Sequence, residues 1–145
     1  MFRHFIFMMA LFFMAPPLAS AQARLGILVQ EMGRSQTHAI KGLSEELKRL
    51  GYQERKNLFI DTRNVKGNRA ALQAAASELL KQKINLLFTT GTSATRSAIA
   101  ATKDIPIVFV HPSDPIASGI IKSPTEPTKN PVSYTHLTLP TIYSV

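Results

Sequence analysis

A short polar segment, Gly91-Thr92-Ser93, follows the apolar run Leu86 to Thr90 and precedes a stretch of regularly spaced alanines. This order predicts a buried strand, a glycine turn and a helix that starts on hydroxyl residues. The first backbone N–H groups of such a helix are free, and the positive end of its dipole lies there. Gly91, Thr92 and Ser93 are therefore candidate ligand-binding residues that suit a carboxylate, although Thr92 and Ser93 could equally be plain helix caps.

A second polar loop follows the apolar run Ile107 to Val110 and contains Ser113 and Asp114. Asp114 is placed to pair with an ammonium group, with Ser113 assisting it; the alternative is an aspartate that only forms a turn before proline. Gln30 follows the run Leu25 to Val29 and is a further candidate, unless it is an ordinary surface residue. A helix start that binds anions, together with one carboxylate, suits an amino acid or a similar zwitterion.

The residue types needed for catalysis or metal binding do not occur at useful spacings. His111 has no second acid, base or nucleophile placed to work with it. The histidines and carboxylates show no metal-ligand spacing, and the chain has no cysteine. The segment after Val29 is not a glycine-rich phosphate turn, and there is no Walker-type lysine motif. We therefore expect no catalytic residue, no metal and no cofactor.

The candidate residues all follow strands of one predicted sheet. The predicted strands are Leu25 to Val29, Asn57 to Asp61, Leu86 to Thr90 and Ile107 to Val110, with Ile116 to Ile121 as a candidate fifth strand. Helical periodicity separates the first four strands, so the order predicts an α/β fold: a parallel sheet with helices on both faces. The second strand is the most polar and is predicted to lie at an edge. Because the strands are parallel, their carboxyl ends share one side of the sheet.

The first residues, 1–21, have the three parts of a secretory signal. Arg3 and His4 form a basic start, Phe5 to Met14 is an apolar core, and Ala19-Ser20-Ala21 supplies small residues for cleavage near Ala21 and Gln22. The apolar core is short for a membrane span, although an uncleaved anchor is the alternative. We therefore predict an exported, periplasmic or otherwise extracytoplasmic, protein.

The remaining residues divide into an α/β lobe over 22–122, a proline-rich linker over 123–131 and a tail over 132–145. The segment from Val132 to Thr141 can be written back, codon by codon, as the end of a transposase-type sequencing adapter. We therefore predict that residues 132–145 are a non-native tail, a translated sequencing adapter; a natural extended tail is the alternative.

The chain is basic, with 145 residues and a formal net charge of +8. The length suits one domain of ordinary size. The basic residues are scattered along the sequence and no run exceeds two, so we expect a solvated basic surface and no nucleic-acid partner.

Several short motifs in this order resemble one known family. In chain order they include Leu25-Gly26-Ile27-Leu28, Lys56-Asn57-Leu58, Gly91-Thr92-Ser93-Ala94, Ile105-Pro106-Ile107-Val108-Phe109 and Ser113-Asp114-Pro115. They resemble the periplasmic substrate-binding proteins of ABC transporters, in the group with tryptophan- and aromatic-amino-acid-binding members. The resemblance runs from about Arg24 to Asn130.

The resemblance implies a two-lobed protein that closes on a small organic solute, with an amino acid as the candidate, and delivers it to an ABC permease in the inner membrane. Each lobe would be a flavodoxin-like α/β unit. The chain resembles the N-terminal lobe and stops where the family crosses to the second, so we expect the second lobe to be absent and the chain to bind solute weakly or not at all.

Two other functions remain open from the sequence. An exported ligand-sensing domain of a membrane signalling protein would share the fold and the signal. A cytoplasmic flavodoxin-like or receiver-like domain would share the alternation of strands and helices, but it needs an acidic cluster after the first strand or a phosphate loop, and this chain has neither.

Overall fold

The structure, a computed structural model, describes residues 22–110, 113–122 and 131–133, with only the backbone of the last three. The predicted signal, His111, nearly all of the predicted linker and most of the predicted tail lie outside these ranges. The strands are β1 (Ala23–Val29), β2 (Leu58–Asn64), β3 (Leu86–Thr90), β4 (Ile107–Val110) and β5 (Pro131–Ser133), and the α-helices are α1 (Arg34–Arg49), α2 (Leu72–Lys81) and α3 (Thr92–Ala101). None of these helices is long and apolar enough to cross a membrane.

All five strands pair in parallel in the order β2-β1-β3-β4-β5. The parallel sheet and the edge position of β2 confirm the sequence prediction. The strand order reverses between β1 and β3, where Val29 lies opposite Thr90. In open α/β sheets, ligands bind outside the carboxyl ends of the strands at such a reversal.

Helices cover both faces of the sheet, as predicted. Leu25, Ile27 and Val29 of β1 point toward α1, whereas Leu28 points toward α2 and α3. This alternation follows from the two-residue period of a strand and explains why β1 is an unbroken apolar run. The side with α2 and α3 is closely packed by small and branched side chains, including the fully buried Ala76, Leu79, Ala94 and Ala98.

Helix α1 is attached less firmly than the other two helices. It has no buried residue, and its apolar stripe of Ile40, Leu43 and Leu47 is only half-buried against the sheet. Because burial of apolar surface is the main force that holds a helix to a sheet, α1 contributes less to stability than its length suggests.

The candidate fifth strand at Ile116 to Ile121 is wrong. That segment is a turn: the Asp114 carboxylate accepts hydrogen bonds from the Ile116 and Ala117 amides, and the Ile120 amide donates to the Pro115 carbonyl. A polar side chain that competes for backbone amides favours a turn over an extended ladder.

The fifth strand forms further along, at Pro131–Ser133. It therefore takes in the last residue of the predicted linker and the first two of the predicted tail. The division of the chain at residues 131 and 132 stays a prediction.

Candidate functional site

Gly91 makes the turn from β3 into α3. Its backbone angles, φ 82° and ψ 164°, lie in a region that only glycine adopts at low cost. A Cβ added there would meet no heavy atom of the described residues within 4 Å, so the backbone and not crowding requires glycine. The sharp turn starts α3 directly at the carboxyl edge of the sheet.

The amino end of α3 presents free backbone donors. Gly91 is the N-cap and makes no side-chain capping bond, and no acidic residue lies in the first turn. The Thr95 amide is the first to bond back, to the Gly91 carbonyl at 3.2 Å. The three preceding amides therefore have no acceptor within the helix, and the positive end of the helix dipole is uncompensated by a side chain of its own first turn.

Thr92 does not cap the helix; it ties two loops together. Its Oγ1 accepts a hydrogen bond of 3.1 Å from the Ser113 amide. A second link lies beside it, because the Gly91 amide donates to the carbonyl of Val110, the last residue of β4, at 2.9 Å. The loops after β3 and β4 are thus held side by side, which brings together four of the predicted site residues. They are Gly91, Thr92, Ser93 and Ser113.

Two buried threonines hold the glycine turn in place through hydrogen bonds. Thr89 and Thr95 share a hydrogen bond of 2.9 Å between their Oγ1 atoms, and Thr95 Oγ1 donates to the Gly91 carbonyl at 2.8 Å. Both side chains are fully buried. These two hydrogen bonds hold the start of α3 against β3.

Asp114 lies on the same edge, but one of its oxygens is already engaged. Its Oδ1 accepts the amides of Ile116 and Ala117, each at 2.9 Å. The aspartate thus forms a turn, which was the alternative to ligand binding in the sequence analysis, and its side chain is exposed to solvent. A contact with a ligand's ammonium group stays a prediction.

Gln30 follows β1 and sits at the reversal of strand order. Its carbonyl oxygen accepts the Gly67 amide at 2.7 Å, which joins the loops after β1 and β2. Its side chain is half-buried. Because β1 pairs with β3, Gln30 and Gly91 each come directly after two paired residues, Val29 and Thr90. A ligand role for the Gln30 side chain also stays a prediction.

Thr90, the last residue of β3, was not among the residues predicted from the sequence. Its side chain is buried, and its Oγ1 has no hydrogen-bond partner among the described residues. A buried hydroxyl without a partner costs free energy, which makes Thr90 a further candidate contact at this edge. Its position directly before the glycine turn is the one signal that could have pointed to it.

The chain was compared with known proteins. The family model described as ABC transporter substrate binding protein matches residues 24–133. A tyrosine-binding protein from Clostridioides difficile (strain R20291) is 32% identical over 109 residues, which cover 75% of this chain and 32% of that protein. This chain therefore spans about a third of the length of its curated relative.

Solved structures share the fold. A conserved domain protein from Vibrio cholerae superposes with a TM-score of 0.74 at 28% identity. A ligand-free, open substrate-binding protein with adhesive properties from Clostridium difficile gives 0.73 at 29% identity. An ABC domain in complex with L-Trp from Streptococcus pneumonia gives 0.72 at 25% identity. Each match covers 77% of this chain and 38% of the other chain.

The family model covers most of this chain, and the parallel sheet that it spans is the one found in these solved proteins. The resemblance predicted from the sequence is thereby confirmed: the chain belongs to the ABC transporter substrate-binding protein family.

Proposed function

We propose that this lobe is one half of a solute-binding cleft in an ABC import system and that its solute is an aromatic amino acid. The observation that carries the proposal is the uncapped start of α3, held at the carboxyl edge by the bonds of Gly91 and Thr92 to the β4 loop. A cleft site of this kind gains affinity by burying the solute between two lobes.

The solute carboxylate would lie at the start of α3. The amides of Thr92, Ser93 and Ala94 are its donors, because no earlier turn of the helix accepts them. The Ser93 hydroxyl has no hydrogen bond within the described part of the chain and is available as a further donor. Charge-assisted bonds to backbone amides are stronger than neutral ones, so this contact would dominate the orientation of the solute.

The solute ammonium would face Asp114. Only Oδ1 of this carboxylate is engaged in the turn, so its negative charge is still available to a cation. The aromatic class of the side chain is drawn from the relatives: one is a tyrosine-binding protein and one was solved in complex with L-Trp.

Members of this family are in general not enzymes and are typically extracellular or periplasmic. For this chain we propose export by the signal at residues 1–21, no catalytic role for any residue, and a membrane permease as the partner that receives the solute.

Calorimetry on the complete two-lobed protein that carries this lobe tests the proposal. We expect tyrosine to bind, tyramine to bind at least tenfold more weakly because it lacks the carboxylate, and 3-(4-hydroxyphenyl)propionate to bind more weakly because it lacks the ammonium.

Asp114→Asn separates charge from turn formation. Asparagine keeps an oxygen that can accept the two amides bound by Asp114, so the fold should persist. The affinity for tyrosine should fall, whereas the affinity for 3-(4-hydroxyphenyl)propionate, which has no ammonium group, should stay the same. Equal affinity for tyrosine and tyramine would contradict the carboxylate site, and an unchanged tyrosine affinity in the Asp114→Asn variant would contradict the ammonium contact.

A further inference from the structure

The amino edge of the sheet, opposite the candidate site, gathers cations that are scattered in the sequence. Helices α1, α2 and α3 all end there, and the loops that lead into β2, β3 and β4 begin there. Six exposed basic residues at this edge form no ion pair with another described residue. We call this group the basic edge: Lys48, Arg55, Lys56, Lys81, Lys83 and Lys103.

Few carboxylates offset the basic edge. Glu46 is already paired with Arg49, whose guanidinium hydrogen bonds lower the pKa of the Glu46 carboxyl. Arg49 is for this reason not counted in the basic edge. Glu45, next to Glu46 in α1, is paired with Lys41. Glu54 and Asp104 lie in the loops at this end of the sheet. The edge therefore carries an excess of positive charge although the sequence shows no basic run.

Two members of the basic edge hold a backbone conformation that suits other residue types better. Arg55 has φ 64° and Lys83 has φ 55°. Lys83 follows the C-cap of α2, the position that glycine most often takes, and glycine or asparagine adopts such angles at lower cost. Neither turn needs a cation for its geometry, so both charges can be removed by glycine without straining the backbone.

Apolar groups lie among these cations. Leu50 and Tyr52, which follow α1, are 58% and 41% exposed. Beside them an open hollow of about 230 Å³ is lined by Leu25, Leu47, Tyr52, Leu58 and Leu86, among others. Exposed leucine and tyrosine beside lysine and arginine are typical of surfaces that lie in the headgroup region of a bilayer.

We propose that the basic edge, with Leu50 and Tyr52, docks on the surface of an anionic lipid bilayer. The anionic headgroups complement the unpaired cations, and the apolar side chains enter the interface. Because the two edges lie at opposite ends of the strands, docking leaves the carboxyl edge free. The inference does not depend on the identity of the solute.

Vesicle co-sedimentation of the 145-residue chain tests this docking. The vesicles contain either phosphatidylcholine alone or equimolar phosphatidylcholine and phosphatidylglycerol, and the ratio of the two affinities is the readout, because any contribution of residues 1–21 is common to all variants. We expect a preference for the anionic vesicles that falls as salt is raised.

The double variant Arg55→Gly/Lys83→Gly removes two charges and places glycine at two positions where φ is positive. Its melting temperature should be unchanged or higher, whereas the preference for anionic vesicles should fall roughly tenfold or more. The matched control is Lys66→Gly/Arg69→Gln, which also removes two charges and one left-handed residue, φ 50° at Lys66, but after the carboxyl end of β2 and away from the basic edge. The control should keep the preference.

Three outcomes would overturn the docking proposal. They are an equal affinity for both kinds of vesicle, an equal loss of preference in the two double variants, and binding to duplex DNA as strong as to anionic vesicles at the same phosphate concentration. The last outcome would show a general affinity for polyanions in place of a membrane surface.

Discussion

Gly91 is the residue on which the candidate site depends most. We expect Gly91→Ala to destabilise the lobe by about 1–3 kcal/mol, because alanine is forced into a backbone region that only glycine adopts readily. Gly42→Ala is the matched control: Gly42 lies within α1 with open space around it, so alanine should stabilise by roughly 0.5–1 kcal/mol. Urea denaturation measures both changes. A neutral Gly91→Ala would show that the turn is not strained.

Thr89 and Thr90 are neighbours with opposite hydrogen-bond status. Thr89→Val removes the bond to Thr95 and should lower the free energy of unfolding by about 1 kcal/mol. Thr90→Val removes a hydroxyl that has no described partner, so stability should stay equal or rise while solute binding by the complete protein weakens. Denaturation curves and calorimetry separate the two effects. A destabilised Thr90→Val variant would mean that the hydroxyl has a structural partner.

The residue types at the site were predictable, but their bonds were not. A glycine after a buried strand and before a helix indicated the turn at Gly91. The sequence could not tell that Thr92 accepts from the Ser113 amide, because that contact joins residues from separate loops. The Asp114-Pro115 pair is compatible with both turn formation and ligand binding, so the sequence could not distinguish the two roles. The structure shows that Asp114 forms a turn.

Helix α1 should be the first helix to open. Its apolar residues are half-buried, whereas α2 is anchored by fully buried side chains. We expect Leu43→Ala to cost about 1 kcal/mol and Leu79→Ala about 2–5 kcal/mol. Native-state hydrogen exchange should find the α1 amides less protected than those of α2. Equal protection of the two helices would contradict the weak attachment of α1.

The elements were predictable wherever one periodicity dominated. The buried runs of β1 and β4 are apolar throughout, β3 is apolar up to its two buried threonines, and the helices show clear apolar stripes. The prediction failed at Ile116 to Ile121, where an apolar run is bent into a turn by Asp114 and by Gly119, which has φ 70°. A local side-chain bond overrode the apolar pattern, and composition alone does not show such a bond.

The parallel topology separates two kinds of surface at the two ends of the strands. The start of α3 and the polar loops lie at the carboxyl end, and the cations of the basic edge lie at the amino end. The sequence predicted the first grouping, because loops after parallel strands share one side of a sheet. It did not predict the second, because Lys48, Lys81 and Lys103 are far apart along the chain and share an edge only because a helix ends near each of them.

The proposed function requires that this lobe alone holds a half-site for an amino-acid carboxylate. Amide chemical-shift mapping of the ¹⁵N-labelled 145-residue chain with L-tryptophan tests it most directly. We predict shifts at residues 91–94 and 113–114, with an affinity weaker than micromolar because one lobe buries only part of the solute, and no such shifts with tryptamine, which lacks the carboxylate. The proposed half-site would be contradicted by shifts confined to other surfaces, by identical shifts with tryptamine, or by the absence of shifts at the carboxyl edge.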